Sequence, residues 1–203
     1  MKKLLIGLTI FIAVVGLWFV KTRNHFVSLR ENVNQSWAQV ENVYQRRLDL
    51  IPNLVATVQG YASHERETLE AVTKARASVG QISTQGLQNL ANDPQAFEKF
   101  QQAQGALSSA LSRLMVVAEK YPDLKANENF LDLQRQLEGT ENRIAVERKR
   151  FNEVAQSYNT AIQMFPGSLV AGAAFQPRPY FTAAPEASQA PKVQFNTPAT
   201  PTP

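Results

Sequence analysis

The sequence predicts an all-α protein: an antiparallel long-helix bundle with an N-terminal transmembrane helix and a disordered Pro-rich C-terminal tail. Three observations predict it. An uncharged apolar run covers Leu4–Val20, apolar residues then recur in steps of three and four over long stretches, and eight of the eleven prolines lie after Phe165. No run alternates with period two, so no sheet is expected. These shifts divide the chain into an anchor over 1–21, a bundle over 22–166 and a Pro/Ala/Thr-rich tail over 167–203.

The anchor comes first because the charge balance isolates it. Residues 1–30 carry Lys2, Lys3, Lys21, Arg23 and Arg30 and no acid, whereas the remainder holds 16 basic and 17 acidic residues. The net charge of +4 therefore flanks one apolar segment and leaves the body without a phosphate-binding field, so no nucleic-acid partner is expected. Seventeen residues at about 1.5 Å each give roughly 26 Å of helix, close to a hydrocarbon core of about 30 Å. Lys2, Lys3 and Lys21 can snorkel across the difference, and Trp18 stands where an interfacial aromatic belongs. A cleaved signal peptide would need small residues after the run, but the run ends Leu17-Trp18-Phe19-Val20-Lys21, so an uncleaved signal anchor is expected. Three basic residues after the run against two before it predict a cytoplasmic C-terminal domain.

Four amphipathic helices follow. Phe26, Leu29, Val33, Trp37, Val40, Tyr44, Leu48 and Ile51 share one face of a helix continuous with the anchor. Pro52 removes a backbone donor, and Asp49 can cap a new segment, so a kink or restart is expected at Asp49–Pro52. A second helix is expected over about Tyr61–Ile82, with Leu69, Val72, Ala75, Val79 and Ile82 inward; Gly80, Ser83, Thr84 and Gly86 mark its end. Asn92 or Asp93 caps a third, with Pro94 in its first turn, a face running from Phe97 to Tyr121, and Pro122 as its stop. The fourth spans about Asn127–Phe165 as a coiled-coil-like seam through Phe130, Leu133, Leu137, Thr140, Ile144, Glu147, Phe151, Val154, Tyr158, Ala161 and Phe165. At Thr140 and Glu147 the seam is expected to shift by one residue rather than bury a polar contact. Phe151 is expected in the core and Phe165 at the surface. In the tail, Phe175–Phe181 is expected to fold back on the bundle; Phe195 is its remaining aromatic.

Little chemistry is nominated. With no Cys there is no disulfide, thiolate zinc site or cysteine nucleophile, and His25 and His64 are too few for a multi-histidine metal site. A body of about 145 residues buries close to 70% of its unfolded surface, so no cofactor is expected. Ser63-His64-Glu65-Arg66-Glu67-Thr68-Leu69 resembles the phosphoacceptor box of histidine kinases, but its basic residue is displaced, its proline is missing and no Gly-rich nucleotide-binding segment follows. His64 is read instead as a solvated residue at a helix start near carboxylates. Arg46-Arg47-Leu48-Asp49 and Glu147-Arg148-Lys149-Arg150 are read as solvated faces, the first with an Arg46–Asp49 pair; the functional alternative is an arginine pair that holds another chain. No catalytic, cofactor-binding or metal residue is assigned.

Taken in order, the motifs resemble the LemA family. They are Arg46-Arg47-Leu48-Asp49-Leu50-Ile51-Pro52-Asn53-Leu54-Val55, then Gly60-Tyr61-Ala62-Ser63-His64-Glu65, then Ala118 through Asn127, Asn129-Phe130, Leu133-Gln134 and Leu137 through Ile144. Phe151-Asn152, Tyr158-Asn159 and Phe165-Pro166 complete the pattern. The resemblance implies a bacterial single-pass membrane protein with a helical bundle, a short external N-terminus and no established catalytic activity. The expected function is a membrane-anchored scaffold or adaptor that positions protein partners at the inner membrane, self-assembly along the long helix included. A signalling component using His64 and an unrecognised hydrolase are the alternatives.

Overall fold

The computed structural model describes residues 2–84 and 90–182. Every regular element among them is helical, as expected. Helix α1, Lys2–Tyr61, joins the apolar segment to the body without a break and, at 60 residues, is about 90 Å long. Every residue from Lys2 to Lys21 is exposed, with Leu4 80% and Leu17 72% accessible, and burial begins at Thr22. The expected inward face is observed: Phe26, Val33, Trp37, Val40, Tyr44, Leu48 and Ile51 are buried.

Pro52 lies inside α1, so the helix does not restart at Asp49–Pro52. The reason is non-local. Proline has no N–H for the Leu48 carbonyl four residues back, and Arg76 Nε donates to that carbonyl instead, at 2.9 Å.

A turn through Ala62–Glu65, held by Glu65 N–H to the Ala62 carbonyl, reverses the chain into α2, Arg66–Thr84, which starts later than the sequence suggested. Helix α3, Pro94–Ala118, is capped by Asp93, whose carboxylate accepts from the Gln95 and Ala96 amides. Pro122 does more than stop it: it opens a one-turn helix α4, Pro122–Lys125. Helix α5, Glu128–Gln163, is capped by Asn127 and returns along α1. Asn127 Nδ2 donates to the Tyr61 hydroxyl at the far end, and Arg47 meets Glu141 midway, so the two run antiparallel.

The α5 seam corrects one expectation in detail. Thr140 stays in register and is buried, its hydroxyl donating to the Gln136 carbonyl at 2.7 Å. The one-residue drift comes after Phe151, where Ala155, Tyr158 and Ile162 are buried rather than Val154, Ala161 and Phe165. Phe151 is fully buried and Phe165 is 80% exposed.

Packing continues beyond residue 166. After a cis Phe165–Pro166 bond come α6, Gly167–Ala171, a 3-10 turn Gly172–Ala174, and an extended strap to Thr182. Gly167 is required by close approach: an added Cβ would fall 2.7 Å from the Ala161 carbonyl oxygen and 2.9 Å from Phe26 Cζ. Gly172 has φ +49°, which turns the chain back onto the body. Phe175 and Phe181 are both buried, so the fold-back expected of them is observed. Gly86, Phe195 and the expected disordered tail past Thr182 lie outside the described residues.

Candidate functional site

The face of α1 that carries Tyr44 and Ile51 also carries Arg47, three residues after the first and four before the second. Its side chain is 2% exposed. Nη1 donates to Ser108 Oγ at 3.0 Å and to Glu141 Oε2 at 2.8 Å, Nη2 donates to Gln104 Oε1, and the guanidinium lies 5.3 Å from the Tyr44 ring centre. One cation thus ties α1, α3 and α5 together. It corrects the reading of this motif as a solvated face: Arg46 is exposed, Asp49 accepts from Gln45 Nε2 rather than pairing with Arg46, and Arg47 is core. Burial is tolerated because Glu141, 57% exposed, keeps its own charge in water while Ser108 and Gln104 accept from the two Nη groups; Arg47 Nε is left buried without a partner. Burial pushes the Tyr44 hydroxyl above its ordinary pKa, against the pull of Arg148 and Arg47.

Arg47 and Tyr44 floor a groove of about 690 Å³ between α3 and α5, lined further by Gln101, Ser109, Arg148 and Thr182. Several of its polar groups are held in structural contacts, while Gln104 Nε2 is buried without a partner. Ser108 Oγ accepts from Arg47, Glu141 pairs with the same guanidinium, and no histidine borders the groove among the described residues. The constellation holds helices together and offers side-chain amides and hydroxyls at its lip; it contains no nucleophile–base pair.

The strap closes one end of this groove and is clipped by two asparagines seven residues apart on α5. Asn159 Oδ1 accepts from the Arg178 amide at 2.7 Å while its Nδ2 donates to the Arg178 carbonyl and the Tyr180 hydroxyl, both at 2.9 Å. Asn152 does the same for Phe181, accepting from its amide and donating to its carbonyl at 2.9 Å. Each side chain therefore stands in for a neighbouring strand, satisfying both backbone groups of one strap residue. Arg148 Nη2 donates to the Thr182 carbonyl and its guanidinium lies 4.8 Å from the Phe181 ring centre. Arg148 thus holds the strap, although its motif was read as solvated; Lys149–Glu153 is an exposed pair there, and Arg150 is exposed but pairs with a half-buried Glu147. Arg178 is buried against the Tyr158 ring with Nη1 on the Ala91 carbonyl, and burial lowers its pKa.

His64 sits exposed in the α1–α2 turn, as read. Its neighbour Glu65 accepts from the Tyr121 hydroxyl at 3.1 Å, which raises the Tyr121 pKa and fastens this turn to α4. Among the described residues no three His, Asp or Glu side chains come together as a metal site would require.

Sequence reasoning missed the roles of Arg47, Asn152 and Asn159. Arg47 was on the apolar stripe all along, and the repeated aromatic-Asn pairs Phe151-Asn152 and Tyr158-Asn159 fall one heptad apart. That spacing puts both rings in the core and both amides beside the strap.

These contacts lie within the stretch that known proteins share. A sequence model of the LemA family matches residues 36–195. The chain is similar to Magnetosome protein MamQ of Magnetospirillum gryphiswaldense, 28% identical over 162 residues covering 73% of this chain and 60% of that protein. Magnetosome protein MamQ 2 of Paramagnetospirillum magneticum is 27% identical over 162 residues with the same coverage. Protein LemA of Metamycoplasma hominis is 23% identical over 164 residues, covering 79% of this chain and 70% of that protein. The chain spans about 60% of the length of the MamQ relatives it matches. From Ser36 on α1 through the clipped strap and beyond it, the match takes in most of the body, and the chain belongs to the LemA family.

Proposed function

We propose that the protein is a single-pass, membrane-anchored helical scaffold that holds a partner protein at a set height above the inner membrane, without catalysis of its own. The observation that carries this reading is α1: one helix supplies both the exposed apolar segment and a wall of the folded core. Seventeen exposed, uncharged residues in a row leave a large apolar surface unburied, and their length of about 26 Å comes close to that of a hydrocarbon core. Further support comes from Arg47, Arg148, Asn152 and Asn159, all of which are occupied in holding helices and strap. The relatives' names, MamQ and LemA, assign no reaction. The body is on the cytoplasmic side in this proposal, following Lys21, Arg23 and Arg30.

The partner surface in this reading is the α3–α5 groove. A photo-crosslinker at Gln102, on the groove lip, should give discrete protein adducts in membranes, and Ser109→Arg should abolish them by filling the groove. Alkaline carbonate should leave the protein in the membrane pellet. Release by carbonate, or adducts indifferent to Ser109→Arg, would sink the proposal.

A further inference from the structure

We infer that the α5–α6 corner is a second membrane contact, an apolar foot that rests in the lipid headgroup layer beside the spanning segment. This rests on α1 crossing the bilayer as proposed above. Met164, Phe165 and Leu169 are 62%, 80% and 72% exposed, three large apolar side chains within six residues. Elsewhere on the helical body exposed apolar side chains such as Val116, Leu131 and Val146 stand singly, as on any soluble surface. The cluster instead occurs at the one end of the body from which the spanning segment leaves.

Its height is fixed by contacts with α1. Gly167 lies against Phe26 so closely that no side chain fits between them. Phe175 packs edge-on to Phe26 with ring centres 5.4 Å apart, and Arg23 and Arg30 approach the Phe175 ring to 5.7 and 5.5 Å. Thr22, two residues past the apolar run, is already partly covered. Six residues separate Val20 from Phe26, a rise of about 9 Å, while a headgroup layer is about 5–8 Å thick on each side. The corner packed on Phe26 therefore stands at the lipid surface. Lys21 and Arg23 lie between that corner and the apolar run, at the depth where cationic side chains meet lipid phosphates and the apolar side chains of the corner can reach down toward the acyl boundary.

A second point of attachment changes what the anchor does. A lone helix leaves the body free to spin about the bilayer normal and to tilt in any direction. The foot fixes the tilt toward the α5 side.

The chain contains no cysteine, so single-cysteine variants of the full-length protein can each carry one environment-sensitive fluorophore. In vesicles of phosphatidylethanolamine and phosphatidylglycerol, the probe at Ile12→Cys should be quenched by deep doxyl-labelled lipid. The probe at Leu169→Cys should shift to the blue and lose most of its emission to shallow doxyl-labelled lipid. The probe at Val116→Cys should do neither. If Ile12→Cys is quenched and Leu169→Cys behaves like Val116→Cys, the foot is refuted and the anchor stands. If Ile12→Cys is unquenched, the anchor fails and the foot with it. A blue shift at Leu169→Cys without quenching would mean that protein covers the corner, a second copy included, and would overturn the lipid assignment.

Discussion

Near the α1–α2 turn the core is mostly aliphatic, built from Leu48, Ile51, Leu54, Val58, Val72, Leu107 and Leu114, with Phe130 as its buried ring. Near the anchor it is aromatic: Phe26, Trp37, Tyr44, Phe97, Phe100, Phe151, Tyr158, Phe175 and Phe181. Helix lengths explain the difference. Helix α2, with 19 residues, and α3, with 25, reach about 28 and 38 Å, while α5, with 36, reaches about 54 Å. Four helices close the far half with medium-sized side chains. Toward the anchor α2 ends at Thr84 and α3 contributes its first turns, through Phe97 and Phe100, and the space beside α1 and α5 is filled by large rings and walled by the strap. Trp37 shows the substitution directly, meeting Phe97 and Phe100 from α3, Phe151 from α5 and Phe181 from the strap within 6.1 Å between ring centres.

If the aromatic half depends on both helices and strap, Phe151→Ala should be the most damaging single change, at about 3–5 kcal/mol. Denaturant unfolding of the detergent-solubilised chain would measure it, with Phe165→Ala as a control within about 0.5 kcal/mol of wild type. Equal losses from the two would erase the distinction between core and corner. Removing both clips, Asn152→Ala with Asn159→Ala, should cost about 1–3 kcal/mol at each site. Hydrogen exchange should quicken at the Arg178 and Phe181 amides while those of α2 stay protected. Exchange that quickens throughout would make the strap part of one cooperative unit.

Arg47 tests the boundary between the halves. Arg47→Met keeps the volume and leaves Glu141 solvated but strands the buried Gln104 amide, so stability should fall by about 1–3 kcal/mol. A loss beyond about 3 kcal/mol, not recovered by the double change Arg47→Met with Gln104→Leu, would show that the groove floor needs the charge. The smallest effect concerns Glu41 on the aromatic side, whose pKa is raised by burial, with the Trp37 indole hydrogen bond pulling the other way. The folded state then holds this proton more tightly than the unfolded chain, so the group's contribution to stability falls as pH rises above its ordinary value of 4.5. Glu41→Gln should raise the melting temperature slightly at pH 7 and leave it unchanged well below that value.

The same contrast governs what could be read in advance. Faces of α1, α3 and α5 were legible because apolar residues at steps of three and four need only local geometry, and Asp93-Pro94 marks a helix start by local chemistry alone. What escaped was settled across the fold. Pro52 looked like a kink or restart until Arg76, from another helix, took over the carbonyl it abandons. Arg47 looked solvated because a charge is usually outside, and only α3 and α5 supply what keeps it inside. The asparagine clips were visible as a repeat, but their meaning depends on a strap that arrives from Arg178 and Phe181.

A continuous α1 also makes the body a lever. From Lys21 to Tyr61 the helix extends about 60 Å, so a 10° change in the slant of the spanning segment would sweep the Tyr61 tip sideways by about 10 Å. The apolar segment is slightly shorter than an average hydrocarbon core, so in a bilayer of ordinary thickness it has no excess length to tilt, and only lipid thinner than about 26 Å would slant it. If α1 spans the membrane as proposed, lipid thin enough to overcome the hold of the foot would be read out, amplified, as travel of the α1–α2 turn.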